Sequence, residues 1–360
     1  MKTNNILVLL SKNRLNEKEC DIINDYVNKE AEWDWLVGQL LFHKLHCRAY
    51  HHLNEHGWIK SIPPALMYPL KKLFELNKYR EGLRNTYTKD LIVKLNNGKI
   101  RYCFIKGALL EMDLFYNSGR ETNDTDVLIH SSDLKVIDNI LTGLGYERGI
   151  YDSKTISVTA DRKLDVFNIM NTHQTVPYCK LTGNTLIKTN MVDVQFNFTL
   201  QNKLGYSIDI DQVLDNRIPK NWNGETCYSL NIFDSFLLLC THLYGEAVLI
   251  QEIRKGKDIQ LIKFADIYEW IEKYFYFFNW NEKINDIISN GFIKPVLYCV
   301  YIVLNLYESK YAETIYSKFL IQGHDIDFVD DYFDDTGNTR KWEVPVMERI
   351  FKPLFFSKIE

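Results

Sequence analysis

The chain has 360 residues, 46% of them hydrophobic and 25% charged, with a formal net charge of −4. That length holds two or three compact units with sizeable cores, and the slightly acidic balance offers no basic field to recruit duplex nucleic acid. Seven scattered cysteines, none in a Cys-x-x-Cys pair, read as reduced thiols. The apolar run near the N-terminus is too short for a secretory leader and no run reaches the length of a membrane span, so the expectation is a cytoplasmic chain with no membrane partner.

Residues 1–95 read as a helical region. Residues 17–29 are amphipathic, 31–50 carry Trp35, Leu36, Leu40 and Leu41, and Pro63-Pro64 break the chain before a helix over 66–94. His43, His46, Cys47, His51 and His52 fall at helical spacings that tempt a metal reading. Their neighbours Leu40, Leu41 and Leu45 claim the same face for a core, and the core reading is preferred.

Residues 96–200 read as an α/β unit. The apolar run 100–105 predicts a strand and ends in Lys106-Gly107; 108–116 has helical spacing, and Gly119 stops that helix. A second strand begins near Asp124, and strand alternation would put Asp124 and Asp126 on one face. Two crowded carboxylates repel unless a cation sits between them. At Gly107 the backbone can approach a bulky anion, with the free N–H groups of the helix's first turn facing it. The same Asp-x-Asp spacing at Asp209/Asp211 and Asp325/Asp327 lacks the preceding strand–Gly–helix unit, and both are read as surface carboxylates. Further strands are expected at 156–159, 163–169 and 191–198. In the last, Asp193 alternates with apolar residues on a clean inside/outside pattern, and Asp165 lies in the strand expected at 163–169.

Residues 201–360 read as mainly helical, with helices over 234–249, 261–274, 295–306 and 312–320 and an acidic loop over 323–341. His242 and Glu246 share a face of one helix, Lys263 and Asp266 a face of the next. Either pair could contact phosphate or acceptor, or make hydrogen bonds between helices.

Ile105-Lys106-Gly107-Ala108, Gly119-Arg120, Asp124-Thr125-Asp126-Val127-Leu128 and Leu144-Gly145-Tyr146 together resemble the DNA polymerase β nucleotidyltransferase superfamily, and within it a bacterial nucleotidyltransferase branch with an "LKG…R…DIDLL…GY" signature. Asp193-Val194-Gln195-Phe196 is similar to that branch's "DLHW" segment, and the His242 and Asp266 helices to its "LLHLCxHxxxH…DLxxL" segment, with Glu246 where a second His is common. Two features depart from the superfamily: Ala108 lacks the hydroxyl that many members offer a phosphate, and the interval from Gly107 to Asp124 is long. The resemblance implies an α+β fold with a mixed-sheet core over 96–200, flanked by helical regions 1–95 and 201–360. It implies a third carboxylate from a later strand, for which Asp193 is the candidate and Asp165 the competitor. It also implies two Mg²⁺ ions on Asp124, Asp126 and Asp193, an NTP held by Lys106, Gly107, Ala108 and Arg120, and acceptor or phosphate contacts from His242, Lys263 and Asp266. The implied reaction moves an NMP from an NTP to a hydroxyl or similar acceptor on a small molecule, peptide or protein. A non-catalytic binding protein on this fold and a phosphotransferase on the same scaffold are the alternatives.

Overall fold

The computed structural model describes residues 2–29, 31–114, 119–153, 157–198, 204, 206, 208–256 and 258–352. The chain forms two compact units, each assembled from separated segments: Met1–Glu75, Leu114–Glu121 and Leu239–Glu360 make the first, Leu76–Asp113 and Thr122–Leu238 the second. Among the described residues no helix is long and apolar enough to cross a membrane.

The first unit is mostly helical. It begins with α1 (Lys2–Ser11), α2 (Glu17–Lys29), α3 (Trp33–Phe42), α4 (His46–Glu55) and the start of α5 (Pro64–Gly98). The helix expected over 31–50 is in fact two. Lys44 takes φ +57°, Leu45 N–H reaches back to the Leu40 carbonyl and Lys44 N–H to that of Leu41, which closes α3 with a Schellman-type turn. Neither Gly nor Pro marks that turn.

In the second unit α5 leads to β1 (Tyr102–Ile105), α6 (Lys106–Asp113), β2 (Thr125–Ile129), α7 (Leu134–Gly143), β3 (Glu147–Arg148), the small hairpin β4 (Ile150–Asp152) and β5 (Ser157–Thr159), and α8 (Arg162–Asn171). Then come β6 (Tyr178–Leu181), β7 (Thr189–Gln195), α9 (Ile210–Asp215), β8 (Ile218–Trp222), β9 (Glu225–Ser229) and α10 (Ile232–Val248), whose last turns belong to the first unit. The first unit is completed by α11 (Ile250–Ile253), α12 (Leu261–Tyr274), α13 (Trp280–Ser289), α14 (Ile293–Tyr307), α15 (Lys310–Ile321), the hairpin β10 (Asp331–Phe333) and β11 (Thr339–Lys341), and α16 (Val346–Arg349).

Seven strands form one mixed sheet in the order β3-β6-β7-β2-β1-β9-β8. β2 is its central strand, antiparallel to β1 and parallel to β7. Every residue of β1 and β2 is buried, as both faces of a central strand require, and this explains the unbroken apolar run of β1 and the Val127-Leu128-Ile129 stretch of β2. Two readings of the sequence change here. The strand expected at 163–169 is the helix α8, started by the Asp161 carboxylate, which accepts the Leu164 N–H at 2.9 Å. The stretch from 218 to 229 is a hairpin that extends the sheet; its turn is Asn223-Gly224 at φ +49° and +91°, the conformation an Asn-Gly pair favours.

The core beneath β2 gathers Leu91, Ile92 and Leu95 of α5, Tyr102 and Phe104 of β1, Val127 and Ile129, Val192 and Val194, and Trp222. Phe104 is fully buried, opposite Val127, with Tyr102 edge-on at 5.6 Å and Trp222 at 6.0 Å between ring centroids. Phe104→Ala is expected to cost about 3–5 kcal/mol, read as a lowered urea midpoint of the unfolding step that includes the sheet.

Candidate active site

The second unit concentrates its charge at one corner of the sheet. β1 runs directly into α6, and Asp126 on β2 stands opposite Ile105, the last residue of β1. On its other side Asp126 is in register with Asp193 of the parallel strand β7. Residues in register project to the same face, so two carboxylates face one another across adjacent strands. Asp124 lies in the bend just before β2, rather than within the strand, two residues from Asp126. Asp126 is 5% exposed, and Asp124 and Asp193 are half-buried.

Lys106, the first residue of α6, answers this negative charge. Its Nζ lies 3.0 Å from Asp126 Oδ1, to which the Gln195 side-chain amide also donates at 3.4 Å. Burial by itself would lower the Lys106 pKa; Asp126 above all, then Asp193 and Asp124, outweigh it and hold the ammonium above its ordinary value. The backbone pays for this placement: Lys106 adopts φ +50°, a left-handed conformation that costs a side-chain-bearing residue about 1–2 kcal/mol. The turn assigned from sequence to Gly107 is thus made at Lys106, while Gly107 is buried inside α6. The backbone of Ala108 lies in the same helix, and the N–H groups of that first turn have no intrahelical carbonyl to bond.

One face of α5 fixes the approach to Asp124. Arg80, Arg84 and Thr88 recur every four residues and therefore share a face. Arg80 Nη1 donates to Asn123 Oδ1 at 2.7 Å, Arg84 Nη1 to the Thr122 carbonyl at 2.8 Å, and the Thr88 and Thr125 hydroxyls lie 3.2 Å apart. Arg84 also forms a buried ion pair with Glu111 on α6. These partners bracket Asp124 on both sides in sequence. The i, i+4 run was visible in the chain, but nothing local names the loop it grips.

Asp165, the rival for the third carboxylate, accepts from Arg148 Nη1 at 2.7 Å and from the Val176 N–H at 3.0 Å on α8. Arg120 and the residues of the C-terminal helices belong to the first unit. There Arg120 grips Asp266 with two donors, Nε to Oδ1 at 3.1 Å and Nη2 to Oδ2 at 2.7 Å, and Asp266 is 2% exposed. His242 Nδ1 lies 3.3 Å from Glu246 Oε2, which also receives the Lys263 ammonium from α12. The structure thus groups Lys106, Asp124, Asp126 and Asp193 in one unit, and Arg120 with Asp266 and His242 with Lys263 in the other. His43 is buried, its Nδ1 accepting the Leu261 N–H at 3.1 Å, and His46 Nε2 lies 3.8 Å from Glu121; both are core histidines.

A mixed sheet carrying carboxylates on its central strands, with a helix springing from the strand beside them, is an α+β core of the nucleotidyltransferase class. The chain belongs to a family described as uncharacterised nucleotidyltransferase, whose sequence profile matches residues 29–308. None of the curated proteins matches it. Among solved structures, an antigenic nucleotidyltransferase-like protein from Paracoccidioides brasiliensis is similar at a TM-score of 0.31 and 17% identity, over 52% of this chain and 75% of that one, a likeness too slight to carry an argument.

Two expectations follow from these charges. Removing the Lys106 side chain leaves the backbone strain to be read alone: Lys106→Gly should be about 1 kcal/mol more stable than Lys106→Ala in urea unfolding, because only glycine adopts positive φ without cost. For Glu246, burial by itself would raise the carboxyl, but His242 and Lys263 outweigh it and hold it well below the usual carboxylate range. A depressed folded pKa adds stability above the unfolded value of about 4.3, and that stability is lost as pH falls through the folded one. The difference in urea midpoint between the native chain and Glu246→Gln should be full at pH 7 and shrink steadily below about pH 4.

Proposed function

We propose that this protein transfers an NMP from an NTP to a hydroxyl or similar acceptor, with Asp124, Asp126 and Asp193 as the carboxylates of a Mg²⁺ centre. One observation carries the reading: Asp126 and Asp193 stand in register on neighbouring parallel strands, with Asp124 at the mouth of the same strand, and all three act on one ammonium. An all-oxygen donor set of this kind suits a hard divalent ion, and the Lys106 ammonium already tests its affinity for positive charge. The residues therefore fit the group. Bound there, two Mg²⁺ ions would neutralise charge on the attacking and leaving oxygens of an in-line displacement at the α-phosphate.

The chain's own groups supply the rest. Asp124 and Asp126 would hold the nucleotide-associated ion, and Asp193 the acceptor-associated one, where its carboxylate can also draw off the acceptor proton. The first turn of α6, from Lys106 through Gly107 and Ala108, offers backbone N–H groups to the β- and γ-phosphates. Lys106 has a second use, because an ammonium released from Asp126 is free to pair with phosphate. Arg120, Asp266, His242 and Lys263 are proposed as braces of the first unit. In this reading the acceptor is a small molecule, peptide or protein met in the cytoplasm, and ATP is the first nucleotide to try.

The test is a coupled one. NTP alone and Mg²⁺ alone should each bind weakly, whereas together, at about a hundred times the dissociation constant, they should stabilise the native state by roughly 2.7 kcal/mol in a thermal melt. Asp126→Asn should erase that shift, and Asp193→Ala should keep it while losing turnover. Product mass distinguishes addition of NMP from addition of phosphate. A flat melt with every NTP and Mg²⁺ concentration, on folded protein, would overturn the proposal.

A further inference from the structure

The first unit holds a second cluster of ligating side chains, unconnected in sequence with the carboxylates above. His52, Glu55 and His56 lie at the C-terminal end of α4, and one ligand atom from each falls within 4.8 Å of the other two. His52 and His56 are separated by four residues, so they sit one turn apart on the same helical face, with Glu55 beside them. His52 is 3% exposed, and its two ring nitrogens are in different states. Nε2 lies 2.8 Å from the Lys12 carbonyl, a pure acceptor, so Nε2 carries the proton. Nδ1 is then a lone pair, buried and without a hydrogen-bond partner among the described residues.

That arrangement is the one a metal-binding histidine needs. A ligating imidazole usually donates its other N–H to a backbone carbonyl or a carboxylate, which fixes the tautomer and turns the free nitrogen to the ion. A buried nitrogen lone pair facing no donor is otherwise a cost to the fold.

Other neighbours support the cluster from α2. Cys20 Sγ lies 4.0 Å from His56 Nε2. The ring of His56 is stacked on Trp58 at 4.5 Å between centroids, and Trp58 Nε1 donates to Asn24 of α2, which limits the rotation of His56. His51 Nε2 touches Glu55 Oε2 at 3.4 Å and is the one competitor for that carboxylate among the described contacts.

We propose that His52, Glu55 and His56, with the Cys20 thiol as fourth ligand, bind a borderline-soft divalent cation of the Zn²⁺ class. Two imidazoles, a carboxylate and a thiol make a four-coordinate tetrahedral set suited to zinc and poorly suited to magnesium. Binding converts the thiol to a thiolate and releases its proton to solvent. The ion would tie α2 to α4, the His52 Nδ1 lone pair being donated to it in a coordinate bond. This proposal does not depend on the nucleotidyltransferase reading.

The experiment uses the full chain, stripped with a chelator and titrated with Co²⁺ as an optical stand-in for zinc. One equivalent should give intense tetrahedral d–d bands and a sulfur-to-cobalt charge-transfer band, both abolished by Zn²⁺. His56→Ala and Glu55→Gln change side chains at the helix end and should leave the circular dichroism unchanged. His56→Ala should weaken Co²⁺ binding by at least about 100-fold, since even outer partners of a metal ligand are worth about 10–100-fold. Cys20→Ser should remove the charge-transfer band alone, His51→Ala should leave the affinity equal or higher, and Asp126→Asn should change nothing. Absence of intense bands at stoichiometric Co²⁺, bands that persist in His56→Ala, or bands lost in Asp126→Asn would each overturn the site.

Discussion

The ion pair between Asp126 and Lys106 governs the arrangement of the second unit. Asp126 stands on the central strand of a seven-stranded sheet at 5% exposure, where an uncompensated carboxylate would be severely penalised. Its compensation comes from the residue that follows one strand and starts a helix, so one contact joins the sheet, the turn and α6. The left-handed backbone of Lys106 is the cost of bringing the ammonium there. Strain of this kind persists where the surroundings over-determine it, and it gathers at functional sites. A cation held beside three carboxylates is also what the proposed chemistry requires, because the geometry that holds an ammonium here would suit the proposed divalent ion.

The corner is held from behind by α5. Arg84 spans the Thr122 carbonyl and the Glu111 carboxylate, and so joins the segment leading into Asp124 to the helix that follows Lys106. Arginine suits this role because its planar fork offers donors in two directions at fixed geometry. Arg80 and Thr88, one turn to either side, hold Asn123 and Thr125. A bend placed between two strongly bonded residues has little freedom to carry its carboxylate away.

The first unit resolves its buried charges differently. Asp266 receives Arg120 through two donors and has Arg48 at 3.9 Å, and Glu246 collects both His242 and Lys263. These are pairs and triads among buried helices, where breaking one partner is costly even if the pair itself contributes little net stability. The His52 cluster is the exception, since the ring's Nδ1 is buried and meets no donor among the described residues.

Local pattern was sufficient for much of this architecture. The apolar run of β1, the Lys106-Gly107 break, the helix after it and the return into Val127-Leu128-Ile129 follow from periodicity and burial on both faces, and so do α2, α12, α14 and α15. The candidate carboxylates were legible because charged residues interrupting an apolar strand need a reason. Other features had signals that were outweighed: Asp161 capped a helix where Val, Ile and Phe content promised a strand, and Asn223-Gly224 marked a hairpin within a stretch read as helical. What only the tertiary structure decided is which strand lies beside which. β2 and β7 are more than sixty positions apart, and their parallel pairing, which no local rule specifies, brings Asp193 into register with Asp126. The positive φ falls on Lys106 instead of the adjacent glycine, at the residue whose ammonium meets Asp126 across the strand pair. The face of α5 that grips the approach to Asp124, and the separation of Arg120, His242, Lys263 and Asp266 into another unit, likewise depend on long-range packing. Sequence spacing carries information about neighbours along one helix or strand, and contacts across strands are set by the energy of the whole core.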